Sequence, residues 1–67
     1  MDDKVIIKKI KDYIYDNDIS VNKLAVAAGL SYHRLWFILN QSDTIKLSDY
    51  IAICSALKEP LDLFITK

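Results

Sequence analysis

Residues 20–40, SVNKLAVAAGLSYHRLWFILN, decide the fold. Ser20 carries the side chain of a helix N-cap, and Leu24, Ala25 and Ala28 behind it fall on one side of a helix of about eight residues. Gly29 suits the left-handed position that ends such a helix. Ser31 caps again, and Leu35, Ile38 and Leu39 give the next helix, of about nine residues, its inward face. Two short helices therefore meet through the three-residue turn Gly-Leu-Ser.

The flanking segments continue in the same style. Ile6, Ile7, Ile10, Tyr13 and Ile14 recur at helical spacing and predict a first helix from residue 3 to about 17, with Asp2 and Asp3 where a helix N-terminus favours negative charge. "NQSDTIK" is polar and reads as a loop. A fourth helix is expected over 47–57, with Leu47, Tyr50, Ile51, Cys54 and Leu57 on its inward face. "KEPLDLFI" predicts a short fifth helix with Pro60 in its first turn, and Leu61, Phe64 and Ile65 closing the core. The expected fold is all-α: one compact five-helix domain over residues 1–67.

Composition supports this. With one glycine and one proline in 67 residues, the chain lacks the turn formers of an all-β domain. Its 52% apolar and 27% charged residues are those of a globular chain. The single cysteine, Cys54, excludes an internal disulfide and suggests a reducing compartment. The charged start, MDDKVIIKKIKDY, has no signal-peptide character, and the longest apolar run, LAVAAGL, is too short to cross a bilayer. A cytoplasmic protein without membrane contact is expected.

Catalysis finds little to stand on. One His and one Cys cannot build a metal centre, and one glycine cannot build a phosphate loop. Cys54 lies on the apolar stripe of the fourth helix, where a buried thiol is inert. No enzyme activity, metal or cofactor is expected.

Net charge is zero, nine basic against nine acidic residues, which counts mildly against nucleic acid as a partner. The distribution differs from the total. No acid lies between Ile19 and Ser42, where Lys23, His33 and Arg34 fall, so the middle third can present a positive face.

The turn between the second and third helices has the geometry of a helix-turn-helix, in which the second helix can enter the major groove. Here the chain resembles the phage repressor and Cro-like (XRE-type) helix-turn-helix family. The resemblance rests on ISVNKLAVAAGLSYHRLWFILN followed by LSDYIAICSALKEPLDLF, with Ile19, Ser20, Leu24, Ala25, Gly29, Leu30, Ser31, Leu35, Ile38, Ala56, Leu57, Leu61 and Asp62 matching its pattern. It covers about residues 10 to 65 and implies a lambda-repressor-like, DNA-binding fold. Three features depart from the family. Ile14 and Leu39 stand where an Arg–Glu pair is usual, Val21 stands where a phosphate-anchoring Gln is usual, and the loop after the third helix lacks its Gly and Pro. Replacing a buried ion pair by hydrophobes leaves a scaffold intact. The phosphate clamp is the part weakened.

The resemblance implies that Tyr32, His33 and Phe37 face base edges. Tyr32 and His33 can hydrogen-bond there, and Phe37 can pack on a thymine methyl. A solvated imidazole is the alternative for His33. Arg34 and Lys23 suit phosphate, with Asn22, Ser31, Asn40 and Lys46 as further phosphate candidates. An ordinary solvated face is the alternative for Lys23 and Lys46. Trp36 and Phe37 cannot both be buried by this helix, because Leu35, Ile38 and Leu39 already fill its inward arc. The rings are then covered by the 41–46 loop, contact DNA, or anchor a protein partner.

Two functions follow as expectations. One is a sequence-specific regulator that binds double-stranded DNA as a homodimer, paired through Leu61, Phe64 and Ile65, and represses by blocking polymerase. The other is a helix-turn-helix scaffold turned to protein binding through Trp36 and Phe37, as an antirepressor or inhibitor. No effector sensor is expected.

Overall fold

A computed structural model describes residues 2–65. Four α-helices follow in order: α1 (Asp3–Asp16), α2 (Val21–Ala28), α3 (Tyr32–Asn40) and α4 (Leu47–Leu57). No strand occurs among the described residues. The all-α class holds.

Local chemistry sets the helix ends. The side chains of Asp2, Ser20 and Ser31 accept the amides of Lys4, Lys23 and Arg34, which satisfies one orphan donor at each of the first three N-termini. Gly29 sits at φ +74°, and the Leu30 amide reaches back to the Ala25 carbonyl at 2.9 Å. The same closure ends α1 at Asp18 and α4 at Lys58, both left-handed without being glycine. A Cβ at Gly29 would meet nothing within 4 Å, so the glycine answers to backbone conformation and not to crowding.

The core is a single cluster. Ile6, Ile10 and Ile14 of α1 meet Leu24 and Ala25 of α2, Leu35 and Leu39 of α3, and Tyr50, Ile53 and Cys54 of α4. Phe64 closes it from beyond α4, with its ring edge-on to Tyr13 at 5.5 Å and to Tyr50 at 6.4 Å. Ile14 and Leu39 are both buried in it.

Two expectations are corrected. The fifth helix does not form: residues 61–65 make consecutive turns, with Leu63 bonded to the Pro60 carbonyl and Ile65 to that of Asp62. Of the three side chains expected to close the core, Phe64 does so while Leu61 and Ile65 stay exposed. The Tyr50 hydroxyl donates to the Leu61 carbonyl, so a side chain tethers this segment where a helix would have used its own backbone. The second correction concerns α4. Its inward face holds Asp49, Tyr50, Ile53 and Cys54, whereas Leu47 is 73% exposed and Ile51 also faces out. The helix is rotated toward Asp49, and the cause lies on α3. Arg34 reaches across to the Asp49 carboxylate and makes its burial tolerable.

Candidate nucleic-acid interface

Helix α3 carries the site because the core uses only one side of it. Leu35, Ile38 and Leu39 point inward. At 3.6 residues per turn the opposite crest belongs to His33, Phe37 and Asn40, with Tyr32 and Trp36 on one flank and Arg34 on the other. All six are exposed. The expectation that Trp36 and Phe37 cannot both be buried holds, at 42% and 54% exposure.

The two rings nevertheless lead to different places. Trp36 and Tyr32 line a hollow of about 130 Å³ against Lys11, Ile14 and Tyr15 of α1 and Val21 of α2. It adjoins a larger groove of about 450 Å³ along α1, which shares Lys11, Tyr15, Leu39 and Asn40. Phe37 lies on the other side, in a depression of about 160 Å³ with Arg34, Ser42, Thr44, Lys46 and Asp49. The 41–46 loop therefore flanks Phe37 and does not line the Trp36 hollow. That loop is pinned: the Gln41 and Ser42 amides bond the Phe37 carbonyl, and the Ile45 amide donates to Asp3 of α1 at 3.0 Å.

The other candidates sort by what already holds them. Ser31 is occupied as a cap, and Asn40 donates to the Trp36 carbonyl at 3.0 Å, which leaves its amide oxygen for a ligand. Asn22 is exposed in the first turn of α2. Tyr32 and His33 stack edge to face at 5.8 Å, which restrains both rings at the start of α3. Lys23 and Lys46 are exposed and make no ion pair among the described residues, so their charge is available to an anion. Arg34 differs. Its Nη2 donates to Asp49 Oδ2 at 2.6 Å and its Nε to Oδ1 at 3.4 Å. Asp49 is only 6% exposed.

Asp49 was not legible as a functional residue, because an acid in the first turn of a helix reads as ordinary dipole compensation. Asp49 shares its face of α4 with Ile53, one turn on and fully buried, and Arg34 supplies the partner that makes this burial tolerable. Tyr15 and Lys11, which complete the Trp36 groove, were also outside the expected site.

Elsewhere, the partner-interface candidate Phe64 is buried in the core. Leu61 and Ile65 remain exposed, and Ile65 shares a shallow hollow of about 170 Å³ with Leu47, Ile45, Ile6, Tyr50 and Asp3. Cys54 is fully buried, and burial pushes its thiol up, so the nucleophilic thiolate is disfavoured. Beside it, burial first and Cys54 second push the Tyr50 phenol up to about 12. Tyr13 is raised too, chiefly by donating to Glu59 Oε2 at 2.5 Å. No group of three or more metal-ligating side chains exists among the described residues. No helix there is long and apolar enough to cross a membrane.

A comparison with models of known protein families finds no match, and a comparison with curated proteins finds none either.

Proposed function

We propose that this chain is a sequence-specific DNA-binding transcriptional regulator, a cytoplasmic helix-turn-helix protein of the phage repressor and Cro-like kind, with α3 as the helix that enters the major groove. One observation carries the reading: α3 offers a continuous outer face of His33, Phe37 and Asn40, in a stretch from Ile19 to Ser42 without a single acid. Lys46 shares the depression of Phe37 and Lys23 is exposed on α2; neither makes an ion pair among the described residues, and both suit phosphate. The longest dimension of the molecule is 27 Å, less than the roughly 34 Å between successive major grooves on one side of the duplex. A two-fold operator therefore calls for two copies.

In a gel-shift titration, affinity is expected to fall linearly with the logarithm of salt concentration. Lys23→Ala is expected to make that slope shallower by about one and to weaken all sequences alike. Absence of binding at low salt across a random-sequence pool would overturn the proposal.

The dimer contact follows the exposed apolar side chains. Leu47, Ile51 and Ile65 stand out of the core around the α4 N-terminus, and Leu61 adds to them beyond the helix. Of the expected pairing residues Leu61, Phe64 and Ile65, this contact keeps Leu61 and Ile65 and leaves out the buried Phe64. Leu47→Glu is expected to leave the fold unchanged and to shift a sedimentation-equilibrium profile toward the monomer. An unchanged profile removes Leu47 from the contact.

A second reading is favoured by Trp36. Its half-exposed ring sits in a hollow with Tyr15 and Tyr32, the kind of aromatic anchor that dominates protein interfaces. If the chain is an antirepressor or inhibitor, Trp36→Ala abolishes capture of its protein partner in a pull-down. Retained capture would speak against it.

A further inference from the structure

The bond between Arg34 and Asp49 assigns Arg34 a role different from a phosphate contact. A guanidinium presents five N–H donors in one plane. Asp49 takes the Nε proton and one proton of Nη2, at 3.4 Å and 2.6 Å. What remains is the outer edge, two Nη1 protons and one on Nη2, on a side chain that is 44% exposed. The carboxylate lies behind it, buried at the start of α4.

Two consequences follow from charge and geometry. The pair is neutral as a unit, so it draws a phosphate far less than a free arginine would, and a phosphate at the outer edge would also feel the Asp49 carboxylate. A base edge carries no net charge and asks only for correctly placed donors. Two parallel N–H groups at the end of a planar guanidinium match the O6 and N7 acceptors of guanine in the major groove. Arg34 is the third residue of α3, in the N-terminal part of the helix that meets base edges when such a helix docks. A guanidinium already held in one plane loses less freedom on binding than a mobile one.

We infer that Arg34, held by Asp49, reads a guanine in the operator, and that Asp49 is the positioning residue that makes this contact selective. This rests on the DNA-binding reading above. Phe37, in the same depression, is then placed to pack against the neighbouring base.

The test selects bound duplexes from a random pool, with the wild-type chain and with Asp49→Asn, and then measures affinities for the winning site and for its variants at each position. Circular dichroism reports whether Asp49→Asn is folded. Should it not be, the double variant R34M/D49N, of unchanged net charge, tests the base contact itself: discrimination at that base pair alone is lost if Arg34 reads it, whereas an equal fall in affinity for all sequences makes Arg34 a phosphate contact and overturns the inference. The expected result is a wild-type site with one invariant guanine per half-site. Asp49→Asn then loses about tenfold or more in discrimination at that base pair alone, while its affinity for unrelated DNA stays level or rises with the added positive charge. If Asp49→Asn changes affinity for all sequences equally and keeps every preference, Arg34 is a phosphate contact and the inference is overturned. If the wild-type chain enriches no sequence at all, the DNA-binding reading falls and takes this inference with it.

Discussion

Ile53→Ala is expected to remove about 3 kcal/mol of folding stability, measured by urea denaturation under far-UV circular dichroism. Ile53 has no exposed surface and belongs to the cluster that joins all four helices. Truncating a buried isoleucine costs about 2–5 kcal/mol, the larger values arising where the surroundings cannot collapse into the space. Its cluster neighbours include Ile10, Ile14 and Leu35, themselves almost wholly buried, so little freedom to collapse exists. A chain of this size has roughly 3–5 kcal/mol from its core in total, so the variant should be largely unfolded at 37 °C. Ile51→Ala, two residues away, is the matched control. Ile51 is 40% exposed, and its truncation should shift stability by less than about 1 kcal/mol. Equal losses at the two positions would mean that α4 is not rotated as described.

Arg34→Ala is expected to cost about 2 kcal/mol in the same assay, although Arg34 is a surface residue of α3. Exposed ion pairs contribute little, and removing one partner of a fully buried pair costs about 3–5 kcal/mol. This pair lies between, with a half-exposed guanidinium and a buried carboxylate. The loss comes mainly from Asp49, left in the core boundary without its two donors. The double variant R34A/D49A should therefore be more stable than Arg34→Ala alone. A double-mutant cycle isolates the coupling, expected at about 1 kcal/mol or more. A coupling near zero would make the contact incidental to folding.

The sequence made α1, α2 and α3 legible almost to the residue, because their punctuation is local. Asp2, Ser20, Gly29 and Ser31 act on backbone groups within two to four positions of themselves. The face of α4 was not legible for the opposite reason. Periodicity places polar residues outward, and Asp49 is inward because of an arginine fifteen residues earlier in another helix. The stripe read from spacing therefore holds Leu47 and Ile51, whereas the buried face holds Asp49 and Ile53. The final segment failed similarly: Pro60 and the apolar residues after it suit a helix start, but the tether from Tyr50 holds the chain as turns. In the site, the outer face of α3 could be read from spacing alone. The division of its aromatic residues between two grooves required knowing that α1 lies along one flank and the 41–46 loop along the other.

That division has an optical consequence. Trp36 is the only tryptophan in the chain, and it looks toward α1, away from the Phe37 and Arg34 side of α3. Excited beyond the absorption of the four tyrosines, its emission is an intrinsic reporter of one groove. Something seated between α1 and α3 would shift its colour, while a ligand held only on the opposite flank would leave the spectrum nearly silent. The molecule thus carries its own label for telling its two surfaces apart.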